Sequence, residues 1–232
     1  GEDQHFTSVN VAVVDNCTDS PTNNFATLNP LEAIDTSIDP DQLSEGNLRL
    51  KGRTSASSGA GDVITRSSIK IPTTGKWYAE YYNDGSDSNT ILIGLADASL
   101  TNHRQAYHTG VYVRCDNGNK YTITTSSTDN GSYATGWDAG DIFGVAYDAD
   151  AGTLTYYLNG STQGTAFSSL TGEYFFGTAT IGGADLLATV NFGNPPFAIS
   201  SGNADANGYG NFEYAPPSGH YALCTKNLAE FG

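Results

Sequence analysis

The stretch GDIFGVAYDADAGTLTYYLNG, Gly140–Gly160, decides how the rest of the chain is read. It runs as an apolar strand, an acidic turn at Asp148-Ala149-Asp150-Ala151-Gly152, an alternating strand, and a closing Asn159-Gly160. The acidic turn has three competing uses: a calcium loop, catalytic carboxylates, or a chain reversal. A calcium loop gathers roughly six to eight oxygen ligands, including a bidentate acid further along. Thr153 to Gly164 contain no Asp or Glu, so Asp148 and Asp150 stand almost alone. Asp and Gly also suit a tight turn, because both tolerate left-handed backbone or bond their own backbone. The stretch is expected to be a hairpin.

Similar segments extend to either side. KWYAEYY (76–82) alternates, placing Trp77, Ala79 and Tyr81 on one face and Tyr78, Glu80 and Tyr82 on the other. ILIGLAD (91–97) is continuously apolar, as a strand covered on both faces would be. GVYVRC and KYTITT flank Asp116-Asn117-Gly118-Asn119, a strong hairpin signal. Further strands are expected at 142–148, 153–158, 174–181 and 186–192, and helical periodicity is absent. With 27 Gly and 14 Tyr but only 15% charged residues, the composition suits short strands joined by tight turns. The expected fold is all-β, an antiparallel two-sheet β-sandwich. Residues 1–46 are read as an acidic N-terminal extension packing on the sandwich, and residues 47–232 as the sandwich itself. The latter includes a long surface loop, ISSGNADANGYGNFEYAPPSG, followed by a final strand or edge segment in HYALCTKNL.

Charge narrows the function. The net charge is −15, and nine of the ten basic residues lie between Arg49 and Lys120, leaving Lys226 as the tenth. No basic face for phosphate contacts is expected, which argues against nucleic-acid binding and adhesion to anionic membranes. No apolar run reaches the ~18 residues of a membrane-spanning helix. The cysteines Cys17, Cys115 and Cys224 lack metal-ligand or disulfide-framework spacing and read as buried free thiols. Because the sequence contains no Met, Gly1 is expected to be a processing product, a fragment boundary or the start of an ordered region.

The segments GKWYAEYY, ILIGLAD, GDIFGVAYDADAGTLTYYLNG, GEYFFGTATIG and ATVNFG, in that order over Gly75–Gly193, resemble the SPRY family. The flanks DSPTNNFATLNPL (19–31) and YAPPSGHYALCTKNLAEFG (214–232) resemble segments bracketing SPRY-like domains in virion proteins of tailed bacteriophages. The resemblance implies a concanavalin A-like jelly roll without chemistry, at the virion surface. It would belong to a tail or head fibre or a capsid decoration. Its partners would be other virion proteins and a host-surface glycan or protein, and it would be a homo-oligomer, with fibres suggesting a trimer. No cofactor or metal is implied.

Two alternatives stand beside this reading. A polysaccharide-degrading glycosidase needs two carboxyls roughly 5–9 Å apart. Among the Glu residues only Glu80 lies in the interior of an expected strand, with Tyr78 at i−2 and Asp84, in a turn, at i+4. A purely structural decoration protein would need no ligand at all. His103 and His108 in NHRQAYH match no metal spacing, and no G-x-S-x-G elbow is present. Aromatics are the remaining lead, since loop Trp and Tyr can stack on sugars or anchor protein contacts. The candidates are Trp137 (or a plug for the sandwich end), Tyr133, Tyr107 with His108, and Tyr209 in the long loop.

Overall fold

The computed structural model describes residues 22–31, 43–52, 63–83, 91–99, 109–124, 126–180 and 187–232. They build two sheets packed face to face. One contains β1 (Leu43–Ser44), β2 (Arg49–Lys51), β4 (Lys76–Tyr82), β9 (Ile142–Asp148), β10 (Thr153–Leu158), β11 (Ser161–Phe167), β13 (Leu187–Asn191) and β14 (Tyr221–Ala222). The other contains β3 (Val63–Arg66), β5 (Ile91–Asp97), β6 (Gly110–Arg114), β7 (Asn119–Ile123), β8 (Ser127–Ser132) and β12 (Tyr174–Thr180). The first sheet runs β1-β2-β13-β4-β9-β10-β11 and the second β3-β12-β5-β6-β7-β8. Every pairing is antiparallel except β14, which lies parallel to β4. The antiparallel sandwich expected from the alternation is the fold.

Strand β4 lies at the centre of the first sheet. Its second half pairs with β13 and its first half with β14, while β9 runs along its whole other side. Trp77, Ala79 and Tyr81 point inward with Phe143, Val145, Leu154, Tyr156, Val190 and Phe192. Ile91, Ile93, Leu95, Val111, Val113 and Phe176 meet them from the second sheet. Leu92 and Ala96, on the other face of β5, are buried with Tyr112, Ile123 and Ala179. That is why 91–97 reads as an unbroken apolar run.

The outer face of the first sheet is also buried at its centre, over β4 and β9, beneath a third layer. Residues 23–26 run against the C-terminal segment: Phe25 bridges to Cys224, and the Ala26 N–H donates to the Leu223 carbonyl at 2.9 Å. Phe25, Phe212, Ala222 and Cys224 form a second cluster over Tyr78 and Ala146. The stretch from Ile199 to Gly219, expected to be a surface loop, therefore has a buried centre. Phe212 is fully buried and sits edge-on to Tyr78 with ring centroids 5.2 Å apart.

Several strands escape sequence patterning, among them β3, β8 and β11. β8 (STDNGS) is exposed along its length, and β11 (STQGTAF) is largely exposed, so neither has an apolar face to alternate. β3 is only four residues long. The segment HYALCTKNL forms β14 and then a short helix, α1 (Thr225–Phe231), where only a strand or edge was expected. Seven residues make two turns, too few for a helical period to show. Tertiary contacts hold the helix: Phe231 stacks on Tyr221 at 4.1 Å, and the buried Asn227 donates to Asp205 at 2.6 Å. No described helix is long and apolar enough to cross a membrane.

Candidate functional site

The acidic turn closes a hairpin. β9 and β10 pair in register from Thr153 opposite Asp148 to Leu158 opposite Phe143, with Gly152 at φ +61 in the turn. The Asp148 carboxylate accepts the Ala151 N–H at 2.9 Å and pairs with the Lys76 ammonium at 2.8 Å. Those contacts hold Asp148 below its ordinary pKa even though partial burial pushes the other way. Asp150 accepts the Gly75 N–H at 3.0 Å. Both acids are engaged by protein donors, and no cluster of three potential metal ligands occurs among the described residues.

Glu80 is the acid that sequence alone singles out, and the structure buries it completely. Its Oε1 accepts the Tyr214 N–H at 2.8 Å and the Tyr78 hydroxyl at 3.3 Å. Its Oε2 accepts the Glu213 N–H at 3.0 Å and Asn191 Nδ2 at 3.1 Å. Asn191 lies opposite Glu80 in the β13–β4 register and also donates to the Asn211 carbonyl at 2.9 Å. Burial pushes the Glu80 carboxyl from 4.5 up to about 7, against the pull of its four donors. The group is a clamp that ties the C-terminal segment to the central strand.

The aromatic candidates fall in different places. Trp137 is part of the main core, edge-on to Phe143 at 5.5 Å, and its backbone N–H donates to the Cys115 carbonyl. Tyr133 is half-buried against Tyr156, and its hydroxyl donates to the Gly164 carbonyl in β11. Burial raises that hydroxyl to about 12. Lys120 from β7 reaches the Ala166 carbonyl of the same strand at 3.1 Å, so the two side chains tie β11 to the opposite sheet. Tyr107 and His108 lie outside the described residues. Cys115 and Cys224 are buried free thiols, and Cys17 too lies outside the described residues.

Tyr209 lines an open cleft of about 240 Å³. Its other walls are Asn23 and Phe25 from the N-terminal flank, glycines 208 and 210, Asn211, and Lys226 from α1. The Tyr209 loop is rigidly built. Asp205 accepts the backbone N–H of Asn207 and of Tyr209 with one oxygen, and the Ala222 N–H and Asn227 amide with the other. The Lys226 ammonium sits 5.3 Å from the Tyr209 ring centroid. Sequence reading found Tyr209 but missed Asn23, Phe25 and Lys226, because the walls come from opposite ends of the chain. The available signal was Lys226 itself, the lone cation after Lys120.

These features define a two-sheet antiparallel sandwich whose hairpins and buried Glu–Asn pair organise the flanking segments. The SPRY domain model matches residues 76–195, just over half of the chain, and the chain belongs to the SPRY family, a class of protein-interaction modules. Both Glu80 and Asn191 fall within the matched region. Among solved structures, the SPRY domain of human HERC1 is similar over 70% of this chain and 96% of that one, with TM-score 0.52 and 14% identity. Another human SPRY domain is similar over 66% of this chain and 94% of that one, at TM-score 0.47 and 14% identity.

Proposed function

We propose that this SPRY domain is a non-catalytic recognition module at the surface of a phage particle, in a tail or head fibre or a capsid decoration. There it contacts neighbouring virion subunits and a host-surface glycan or protein, as a homo-oligomer. The observation that carries the non-catalytic part is the state of Glu80. Glycoside hydrolysis needs two carboxyls facing one bond across a cleft, and this carboxyl is sealed in the interior with both oxygens bonded to the protein's own donors. The phage setting is supported by the two flanks. The segments that resemble virion sequences pack against each other and onto the SPRY sheet, through Phe25 with Cys224 and Asn24 with Thr225. A rigid sandwich with exposed polar hairpins also suits a displayed module, since recognition loops need a fixed scaffold.

Density-gradient purification of particles from the culture that carries the gene, followed by mass spectrometry, tests the setting. Peptides of this chain should co-sediment with infectious particles. Their confinement to the cell fraction would rule out a virion component.

A further inference from the structure

The cleft between the two flanks combines three features that point to one ligand chemistry. First, the Lys226 ammonium makes no ion pair among the described residues, although Glu230 lies one helical turn away. Glu230 instead accepts the Asn207 amide at 2.6 Å. A cation with no acidic partner among the described residues, in a sequence with no other Lys or Arg after Lys120, is placed to receive one negative charge. Second, the walls pair aromatic carbon with amide groups: Tyr209 and Phe25 beside Asn23, Asn211 and the backbone of glycines 208 and 210. Sugars present that same mixture of C–H surface and hydroxyls, and ring faces of Tyr suit the apolar part. Third, about 240 Å³ falls below the roughly 300–1,000 Å³ of sites for drug-sized ligands, which leaves room for one ring and not an extended chain.

We infer that this cleft binds the carboxylated pyranose of an acidic glycan, with the carboxylate on Lys226 and the ring against Tyr209. A phosphate monoester, carrying close to two charges, usually meets several basic groups, and the described lining has one. Asp205 and Asn227 brace the Tyr209 loop and the start of α1 from beneath, so the backbone that carries both binding groups is held before a ligand arrives. Such pre-ordering lowers the entropic cost of binding. The inference deepens the recognition reading above and rests on it for the biological source of the glycan.

Nuclear magnetic resonance titrations of the full chain with glucuronate, N-acetylneuraminate and glucose test it. The two acids should bind in the millimolar range and shift the Tyr209 ring signals, while glucose leaves them unmoved. Lys226→Gln should weaken the acids about tenfold or more, the worth of a charge-assisted contact, and Lys226→Arg should largely retain them. Tyr209→Leu should weaken binding while an unchanged Tm shows the fold intact. Failure of both acids to bind, or equal binding by Lys226→Gln, overturns the cleft assignment and leaves the virion reading standing. Acid binding by a chain absent from particles overturns the virion reading and leaves the cleft standing.

Discussion

Both faces of β4 are buried, but by different means. Inward, Trp77, Ala79 and Tyr81 meet apolar side chains across the sandwich, and Trp77 has one polar need, met when its indole N–H donates to the Thr74 carbonyl at 2.8 Å. Outward, Tyr78 and Glu80 are covered by segments far away in the chain, and the contact mixes rings with hydrogen bonds to a carboxylate. The inner face is closed mainly by the hydrophobic effect, which is tolerant of exact partner identity, with few hydrogen bonds such as that of the Tyr156 hydroxyl to the Ile93 carbonyl at 2.9 Å. The outer face depends on particular donors aimed at particular oxygens, and a buried polar group left unsatisfied is costly. A face closed that way accepts one cover and no other.

If the outer layer is as integral as the core, Phe212→Ala and Phe143→Ala should each cost about 3–5 kcal/mol in urea unfolding, within one cooperative transition. Phe143 is fully buried in the main core and Phe212 in the outer cluster, so the pair isolates the two layers. A far smaller loss for Phe212→Ala, or a separate early transition, would make the flanks a detachable cover.

Glu80→Gln sharpens the polar half of the comparison. Each carboxylate oxygen accepts a backbone N–H, so the amide nitrogen of Gln must face a donor whichever way it is turned. A loss of about 1–3 kcal/mol is expected near pH 5. Its pH dependence has a definite sign. With its folded value raised to about 7 from 4.5, Glu80 binds its proton more tightly in the folded chain, so its contribution is full below 4.5 and is lost as pH rises through 7. His220, held neutral by burial, acts in the opposite sense below its ordinary 6.5. It acts equally in both proteins and drops out of their difference. The wild-type advantage over Glu80→Gln should therefore shrink from pH 5 to pH 8. An advantage that grows instead would mean that the four donors outweigh burial.

The smallest effect belongs to the hairpin acids. The Lys76–Asp148 pair is partly exposed, with side-chain exposures of 41% and 17%. Asp148→Ala should cost under about 1 kcal/mol, and neither calcium nor a chelator should move Tm. A calcium-dependent rise in Tm, lost in Asp148→Ala, would replace the turn with an ion site.

The two faces also differ in how far they could be read beforehand. Alternation in 76–82 separated Trp77, Ala79 and Tyr81 from Tyr78 and Glu80, and the structure keeps that division. What covers the second set was not legible, because nothing local in β4 points to residues 213–214, more than 130 positions away. Phe212 sits in a stretch rich in Gly and Asn, where Tyr209, Phe212 and Tyr214 follow no strand or helix period, and such a stretch reads as loop. β8 carries no period because its residues are exposed along its length, β11 meets the core only at its end through Ala166 and Phe167, and α1 is too short for its period to emerge.

Local chemistry by itself determined the extended segments, the hairpin at Asp148–Gly152 and the sandwich class, because side-chain alternation and turn residues act over a few positions. Tertiary structure decided that Glu80 is a clamp, that Trp137 belongs to the core, and that Tyr209 and Lys226 share a cleft. Those outcomes depend on which distant backbone donors and side chains arrive to satisfy a buried group, and that is settled only when the whole chain closes.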